Sequence, residues 1–252
     1  MAIPPAVVVI PARMASTRFP GKVLADRTGR PLIQHVYERA RLARCAARIV
    51  IATDDARVER AAGLFGAECV LTRDDHPNGT SRLAEAAAKL GLSPETIVVN
   101  AQGDEPEMEP ALLDDAVAAL AKTGSPVSTS ATPFAQGEDP ANPNVVKVVV
   151  AGDGTALYFS RALVPYPRDG VGSAPVRPLK HIGLYAYRRS FLEVYASLAP
   201  TALEQTEQLE QLRILYYGHR IAVAVADIRT HAGIDTPEQY EAFVSRWNAA
   251  QR

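Results

Sequence analysis

VVVIPARMASTRFPGK, residues 7–22, is the stretch on which the reading of this chain turns. Val7 to Ile10 is an unbroken β-branched run, the pattern of a strand buried on both faces. It stops at Pro11 and gives way to a loop carrying Arg13, Ser16, Thr17, Arg18, Gly21 and Lys22. A buried first strand ending in a basic, hydroxyl-bearing loop before a helix marks where open α/β sheets take ligands, outside the carboxyl ends of their strands. Arg13, Arg18 and Lys22 lie close together in a chain of otherwise balanced charge, which points to a polyanionic ligand such as a triphosphate. A solvated basic loop is the plain alternative. The loop contains no G-x-G-x-x-G, and Gly21-Lys22 is followed by Val23 where a Walker A loop needs Ser or Thr.

Beyond this loop the chain alternates. Leu32, Ile33, Val36, Tyr37 and Ala40 have helical spacing, and Pro31 suits a first turn. Arg48 to Ala52 reads as a strand, Val58 to Phe65 as a helix and Glu68 to Leu71 as a strand. A polar loop, TRDDHPNGTSR (residues 72–82), opens an alanine-rich helix. Thr96 to Asn100 is another buried strand, running into Ala101-Gln102-Gly103-Asp104-Glu105-Pro106, and a helix covers about Pro110 to Lys122. This βαβαβαβα order predicts a doubly wound, mostly parallel α/β sheet of the Rossmann-like kind.

The second half reads differently. Strands are expected at Pro126 to Thr132, Asn144 to Val150, Thr155 to Ser160 and His181 to Tyr187, with Ala151 to Gly154 as a hairpin turn. Residues 161–180, with four prolines, form a loop of functional length. One helix is expected from about Leu203 to Tyr217, a strand at Ile221 to Ala226 and a final helix from Pro237. We read residues 1–252 as a single α/β domain with a β-rich portion at about 126–200.

Composition narrows the classes. The chain has 252 residues, 47% of them hydrophobic, and 27 basic against 28 acidic side chains. Ample core material and near-zero net charge argue against bulk attraction to nucleic acid or membrane. No run approaches the roughly 18 apolar residues of a membrane span, and the first residues lack a signal-peptide pattern. A cytoplasmic protein with two free thiols, Cys45 and Cys69, is expected.

Three further groups could carry chemistry. Asp104 follows a buried strand, with Gly103 permitting close backbone approach. Together with Asp235, after the last strand, it could hold Mg²⁺ alongside substrate phosphates, although either aspartate could equally serve a turn or a helix cap. In residues 72–82, Asn78, Gly79, Thr80 and Arg82 offer an anion or ribose site at a helix N-terminus, or simple capping. Arg161 could grip a carboxylate with both arms of its guanidinium. By spacing alone His181 reads as a core histidine, with Tyr185 on the same strand face, and Glu210 as a surface partner of Arg213.

Nine segments in order then resemble the 3-deoxy-manno-octulosonate (Kdo) cytidylyltransferase family. They are IPARMASTRFPGK, ATDD, TRDDHPNGTSRLAE, VVNAQGDEP, NPNVVKVV, ALYFSR, HIGLYAYR, LEQLR and GIDTP, spanning about residues 7–237. The resemblance implies an α/β nucleotidyltransferase fold with a smaller β-rich dimerisation portion, a homodimer, and transfer of CMP from CTP to Kdo with Mg²⁺, for lipopolysaccharide synthesis. It assigns Arg13, Ser16, Gly21, Lys22, Thr53, Asp54, Asn78, Gly79 and Arg82 to CTP. Arg18, Gln102, Arg161, His181, Tyr185, Glu210 and Gln211 are assigned to the sugar acid. Asp104 and Asp235 are assigned to the metal, and with Lys22 to catalysis. Asn78 stands where the family pattern has serine, and Met14 where tyrosine is common. N-acylneuraminate cytidylyltransferases are the nearest rival, and a catalytically silent nucleotide-binding regulator is the rival from another class.

Overall fold

A computed structural model describes residues 3–76, 78–170, 176–228, 231 and 233–251. Its centre is one sheet of nine strands. β1 (Ala6–Ala12), β2 (Ala46–Thr53), β3 (Glu68–Leu71) and β4 (Ile97–Asn100) are parallel, in the order β3-β2-β1-β4. Val8 faces Ile49 on one side and Val99 on the other. Both faces of these strands are covered. Val8, Ile10, Ile51 and Val99 share a core with α1 (Leu32–Ala40), α2 (Ala56–Leu64) and α4 (Pro110–Thr123). Val7, Val9, Val50 and Val98 pack on the opposite side with Leu83, Ala86 and Ala87 of α3 (Gly79–Lys89). An unbroken apolar run is therefore what the position requires, since alternate side chains meet different helices. The doubly wound parallel half has the expected form.

The second half is mixed. β5 (Val127–Pro133) and β9 (Ile221–Val225) pair in parallel, while β8 (Leu179–Arg188) runs antiparallel between β4 and β5. β6 (Lys147–Val150) and β7 (Ala156–Ser160) form a hairpin, and β6 joins β8. Of residues 126–200, then, β5 and β8 lie inside the central sheet and the hairpin hangs from it. Part of the expected 161–180 loop, residues 171–175, lies outside the described residues, as do Pro77 of the 72–82 loop and Ala232 of the loop that ends at Pro237. Among the described residues no helix is long and apolar enough to cross a membrane. Both cysteines are free thiols.

One expectation needs correction. The single helix over 203–217 is two, α6 (Ala202–Glu207) and α7 (Gln211–Tyr216), separated where Gln208 turns left-handed at φ 53°. The carbonyls at the break go to a side chain instead of to helix amides: Arg161 donates Nε–H to Glu207 O at 2.7 Å and Nη2–H to Gln208 O at 3.4 Å. Helical periodicity continues through the break, so the pattern of Leu209, Leu212 and Leu215 does not reveal it. α5 (Arg189–Ser197) follows β8, and the chain closes with the expected final helix, α8 (Pro237–Ala250), which packs Tyr240, Phe243 and Val244 on Leu32.

Candidate active site

β1 leads through α1 to β2 on one side, whereas β4 leads through α4 towards β5 on the other. The crevice between their carboxyl ends is the switch point where such sheets bind ligands. Gly103 seats the two loops against each other. A Cβ there would lie 2.4 Å from Pro11 O, closer than real atoms approach, so only glycine lets the β4 loop abut β1. That contact carries Asp104 to the basic loop.

A dense charge network results. Lys22 Nζ donates to Asp104 Oδ2 (2.7 Å), Ile234 O (2.7 Å) and Asp235 Oδ1 (3.0 Å). Arg18 Nη2 lies 2.8 Å from Asp235 Oδ2. Gly21 takes a left-handed φ of 72°, its amide donating to Met14 O, and starts the tight turn that aims Lys22 inward. Arg18, Lys22, Asp104 and Asp235 border a cavity of about 650 Å³ with Arg13, Ser16, Gly79 and Arg82 on its walls. Arg82 is held there by its Nη1–H to Thr72 Oγ1 and Nη2–H to Asp54 Oδ2, both 2.6 Å. Asn78 caps α3, accepting from Ser81 N at 2.8 Å, and still lines the cavity. Capping and ligand-facing roles thus coexist at this helix start.

A second cavity of about 330 Å³ shares Gly79, Gln102 and Glu210 with the first. His181, Tyr185, Gln211, Tyr187 and Tyr195 complete its character. Burial disfavours charge on its ionisable groups. His181 is pushed down to about 3 by desolvation, its Nε2 lying 2.9 Å from Thr129 Oγ1. Glu210 is shifted upward by burial and then by the Glu204 charge, against the lowering effect of Arg213. Arg213 makes its ion pair with Glu204 (2.6 Å), so the expected surface pairing with Glu210 is not formed and Glu210 turns to the cavity. The first cavity suits a polyphosphate; the second suits a hydroxylated, uncharged-bodied ligand.

A two-residue bulge explains how β8 serves this cavity. Thr129 pairs with Tyr185 but Ser130 pairs with Ile182, so Gly183 and Leu184 lack partners in β5. The Thr129 hydroxyl donates to Leu184 O (2.7 Å) and Gln102 Nε2–H to Gly183 O (3.1 Å), satisfying the displaced carbonyls. With the bulge between them, the His181 and Tyr185 rings meet on the cavity wall at 5.5 Å between centroids. The core-histidine reading and the site reading of His181 both describe it: buried, hydrogen-bonded, and on the cavity wall.

Four expected residues stand elsewhere: Gly21 shapes the turn before Lys22 without lining either cavity, and Thr53, Asp54 and Arg161 have other partners. Thr53 is fully buried and gives its carbonyl to Thr72 N and Oγ1. Asp54 orients Arg82 and does not line the cavity itself. Arg161 lies outside both cavities. Besides Glu207 O and Gln208 O it donates Nη1–H to Pro143 O at 3.0 Å, its backbone amide donates to Glu207 Oε2 at 2.9 Å, and its own carbonyl accepts from Lys147 Nζ. It braces the α6–α7 break and thereby the segment carrying Glu210 and Gln211. Sequence reasoning also passed over Asn100, Tyr187 and Tyr195. Asn100 was the most visible, a polar residue ending the apolar TIVVN strand. It is 3% exposed and, among the described residues, its Oδ1 has no hydrogen-bond partner.

The cytidylyltransferase family model matches residues 7–221. A 3-deoxy-manno-octulosonate cytidylyltransferase of Nitratidesulfovibrio vulgaris (strain DP4) is 50% identical over 240 residues, covering 94% of each chain. One from Syntrophobacter fumaroxidans is 51% identical over 237 residues, also 94% of each. Among solved structures, a CMP:2-keto-3-deoxy-manno-octonic acid synthetase complexed with CTP superposes with a TM-score of 0.90 at 42% identity, covering 98% of this chain and 99% of that one. A cytidylyltransferase from Leptospira borgpetersenii, at 18% identity and a TM-score of 0.61, shares the fold.

Proposed function

The chain belongs to the 3-deoxy-manno-octulosonate cytidylyltransferase family of the cytidylyltransferases, and on that premise we propose how its own residues act. It transfers CMP from CTP to the anomeric hydroxyl of Kdo and releases pyrophosphate. The observation that carries the residue assignment is the junction of the two cavities: one rich in cations and one buried and aromatic, sharing Gly79, Gln102 and Glu210.

Arg13, Ser16 and Lys22 take the triphosphate, whose charge needs several fixed donors, and Gly21 shapes the turn that presents Lys22. Asn78, Gly79 and Arg82 hold the nucleoside end, with Asp54 and Thr53 acting through Arg82 and the 72–82 loop. Gln102, His181, Tyr185, Glu210 and Gln211 surround the sugar acid. Arg18 faces Asp235 from the exposed side and can reach either ligand. Arg161 supports the Glu210–Gln211 wall. With both substrates oriented, the sugar hydroxyl lies in line with the α-phosphorus. Such a reaction depends on positioning and charge stabilisation more than on a dedicated base.

Magnesium fits the donor set. Two carboxylate oxygens, from Asp104 and Asp235, converge on a single cation, here the Lys22 ammonium. When bound, Mg²⁺ neutralises charge on the reacting phosphate oxygens. A homodimer fits the exposed apolar side chains Leu157 of β7 and Val225 of β9, on edge-side strands bridged at Thr155 and Ala222. The proposed setting is the cytoplasm and the product feeds lipopolysaccharide assembly. Pyrophosphate release from CTP, assayed over a panel of sugar acids with and without Mg²⁺, tests the whole reading. Kdo is the preferred acceptor and Mg²⁺ is required; release with N-acylneuraminate alone, or with none, refutes it.

A further inference from the structure

Lys22 occupies a complete cation nest. An ammonium has three hydrogens, and three oxygens accept them: Asp104 Oδ2, Ile234 O and Asp235 Oδ1, at 2.7, 2.7 and 3.0 Å. The other Asp235 oxygen is paired with Arg18 at 2.8 Å. The Lys22 side chain is only 10% exposed, so solvent does little to screen these contacts. Three oxygens around one point, two of them anionic, are also what a hard divalent cation seeks. A magnesium ion on the same oxygens would sit about 2.0–2.1 Å from each, within the volume that Nζ fills. The two cations exclude one another by contact as well as by charge.

We propose that Lys22 is the resident counter-ion of the Asp104–Ile234–Asp235 nest, keeping a divalent cation out until a nucleoside triphosphate draws its ammonium away. This rests on the CTP and magnesium reading given above. Lys22 and Arg18 both line the phosphate cavity, and the lysine stem is long and freely jointed. Its base is held by a single 3-10 turn behind Gly21, at φ 72°, so it is the side chain that moves. A triphosphate in that cavity offers more negative charge than the two aspartates. Once Lys22 and Arg18 turn to it, Asp104 and Asp235 are left as two neighbouring anions with no partner. Their affinity for a divalent cation then rises at the moment the phosphates arrive. Nucleotide and metal therefore bind with positive coupling, each favouring the other by the same factor, and the Ile234 carbonyl is a third donor to the cation.

The test is Mn²⁺ binding without nucleotide, followed by electron paramagnetic resonance of free Mn²⁺. Wild type is compared with Lys22→Met and Lys22→Gln, each checked for native circular dichroism. We expect wild type to bind at least tenfold more weakly than either variant. Arg18→Ala, which leaves Lys22 in the nest, gains less than threefold. Equal Mn²⁺ affinity in wild type and both Lys22 variants overturns the counter-ion role while leaving the metal site standing. Failure of every protein to bind Mn²⁺ overturns both. A gain in Arg18→Ala matching Lys22→Met reassigns the gate away from Lys22.

Discussion

The two cavities meet at Gly79, Gln102 and Glu210 yet are built on opposite principles. The phosphate side is assembled from full charges that, without ligand, are spent on one another: Lys22 on two aspartates, Arg18 on Asp235, Arg82 on Asp54. The sugar side is built mainly from buried polar and aromatic groups, with a histidine kept uncharged by burial, tyrosines whose hydroxyls burial pushes upward, and one carboxyl, Glu210, that burial also shifts upward. Charge recognition can tolerate a loop, because Coulomb attraction falls off slowly with distance. Hydroxyl recognition needs hydrogen bonds at fixed length and angle, and it is mounted on β8, inside the sheet.

Variants sharpen that contrast in order of expected effect. Asp104→Asn removes a charge on which the phosphate side depends. Turnover falls by about a thousandfold or more, as loss of several kcal/mol of metal-derived stabilisation implies, while the melting temperature stays near wild type. Near-normal turnover in Mg²⁺ would refute the assignment.

Gly103→Ala strikes the joint between the loops. With a Cβ 2.4 Å from Pro11 O, backbone has to shift, costing about 1–3 kcal/mol in chemical denaturation. Affinity for CTP drops with it; an unchanged denaturation midpoint would show that the loops do not need this contact.

Gln211→Ala confines its damage to the other side. The KM for the sugar acid rises by about tenfold, in line with the loss of a buried hydrogen-bonding group, and the KM for CTP does not move. Equal increases for both substrates would erase the division between the cavities.

The smallest effect concerns Glu105, which burial, and then the Asp104 charge, push up to about 7. Its folded form holds a proton more tightly than its unfolded form. Its contribution to stability is therefore full below about pH 4.5 and is lost as pH rises through about 7. Unfolding free energies measured across that window fall more steeply for wild type than for Glu105→Gln; parallel curves would remove the basis for the shift.

The sequence made the frame legible because buried strands and polar loops differ so sharply in composition. Val7 to Ile10 and Thr96 to Asn100 announce two neighbouring strands, and the charges that follow each of them announce a site. It was silent on what crosses the chain. Lys22 meets Asp104 and Asp235 across 82 and 213 positions. No local pattern encodes that Arg161 would turn to the carbonyls of Glu207 and Gln208 instead of a substrate. The same holds for the β8 bulge, since alternation counts residues and not the unpaired Gly183 and Leu184. Spacing alone puts Glu210 with Arg213, three residues on; the resemblance puts it at the sugar acid, and the fold, with Arg213 on Glu204, leaves it on the cavity wall.

β8 is an interior strand, hydrogen-bonded to β4 on one edge and β5 on the other. Amides so placed open only with the sheet as a whole, and they exchange with solvent deuterium among the slowest in the protein. The 13–22 loop has no such ladder on either side. On warming, the loop that faces the phosphates is therefore expected to open before the strand that carries His181 and Tyr185.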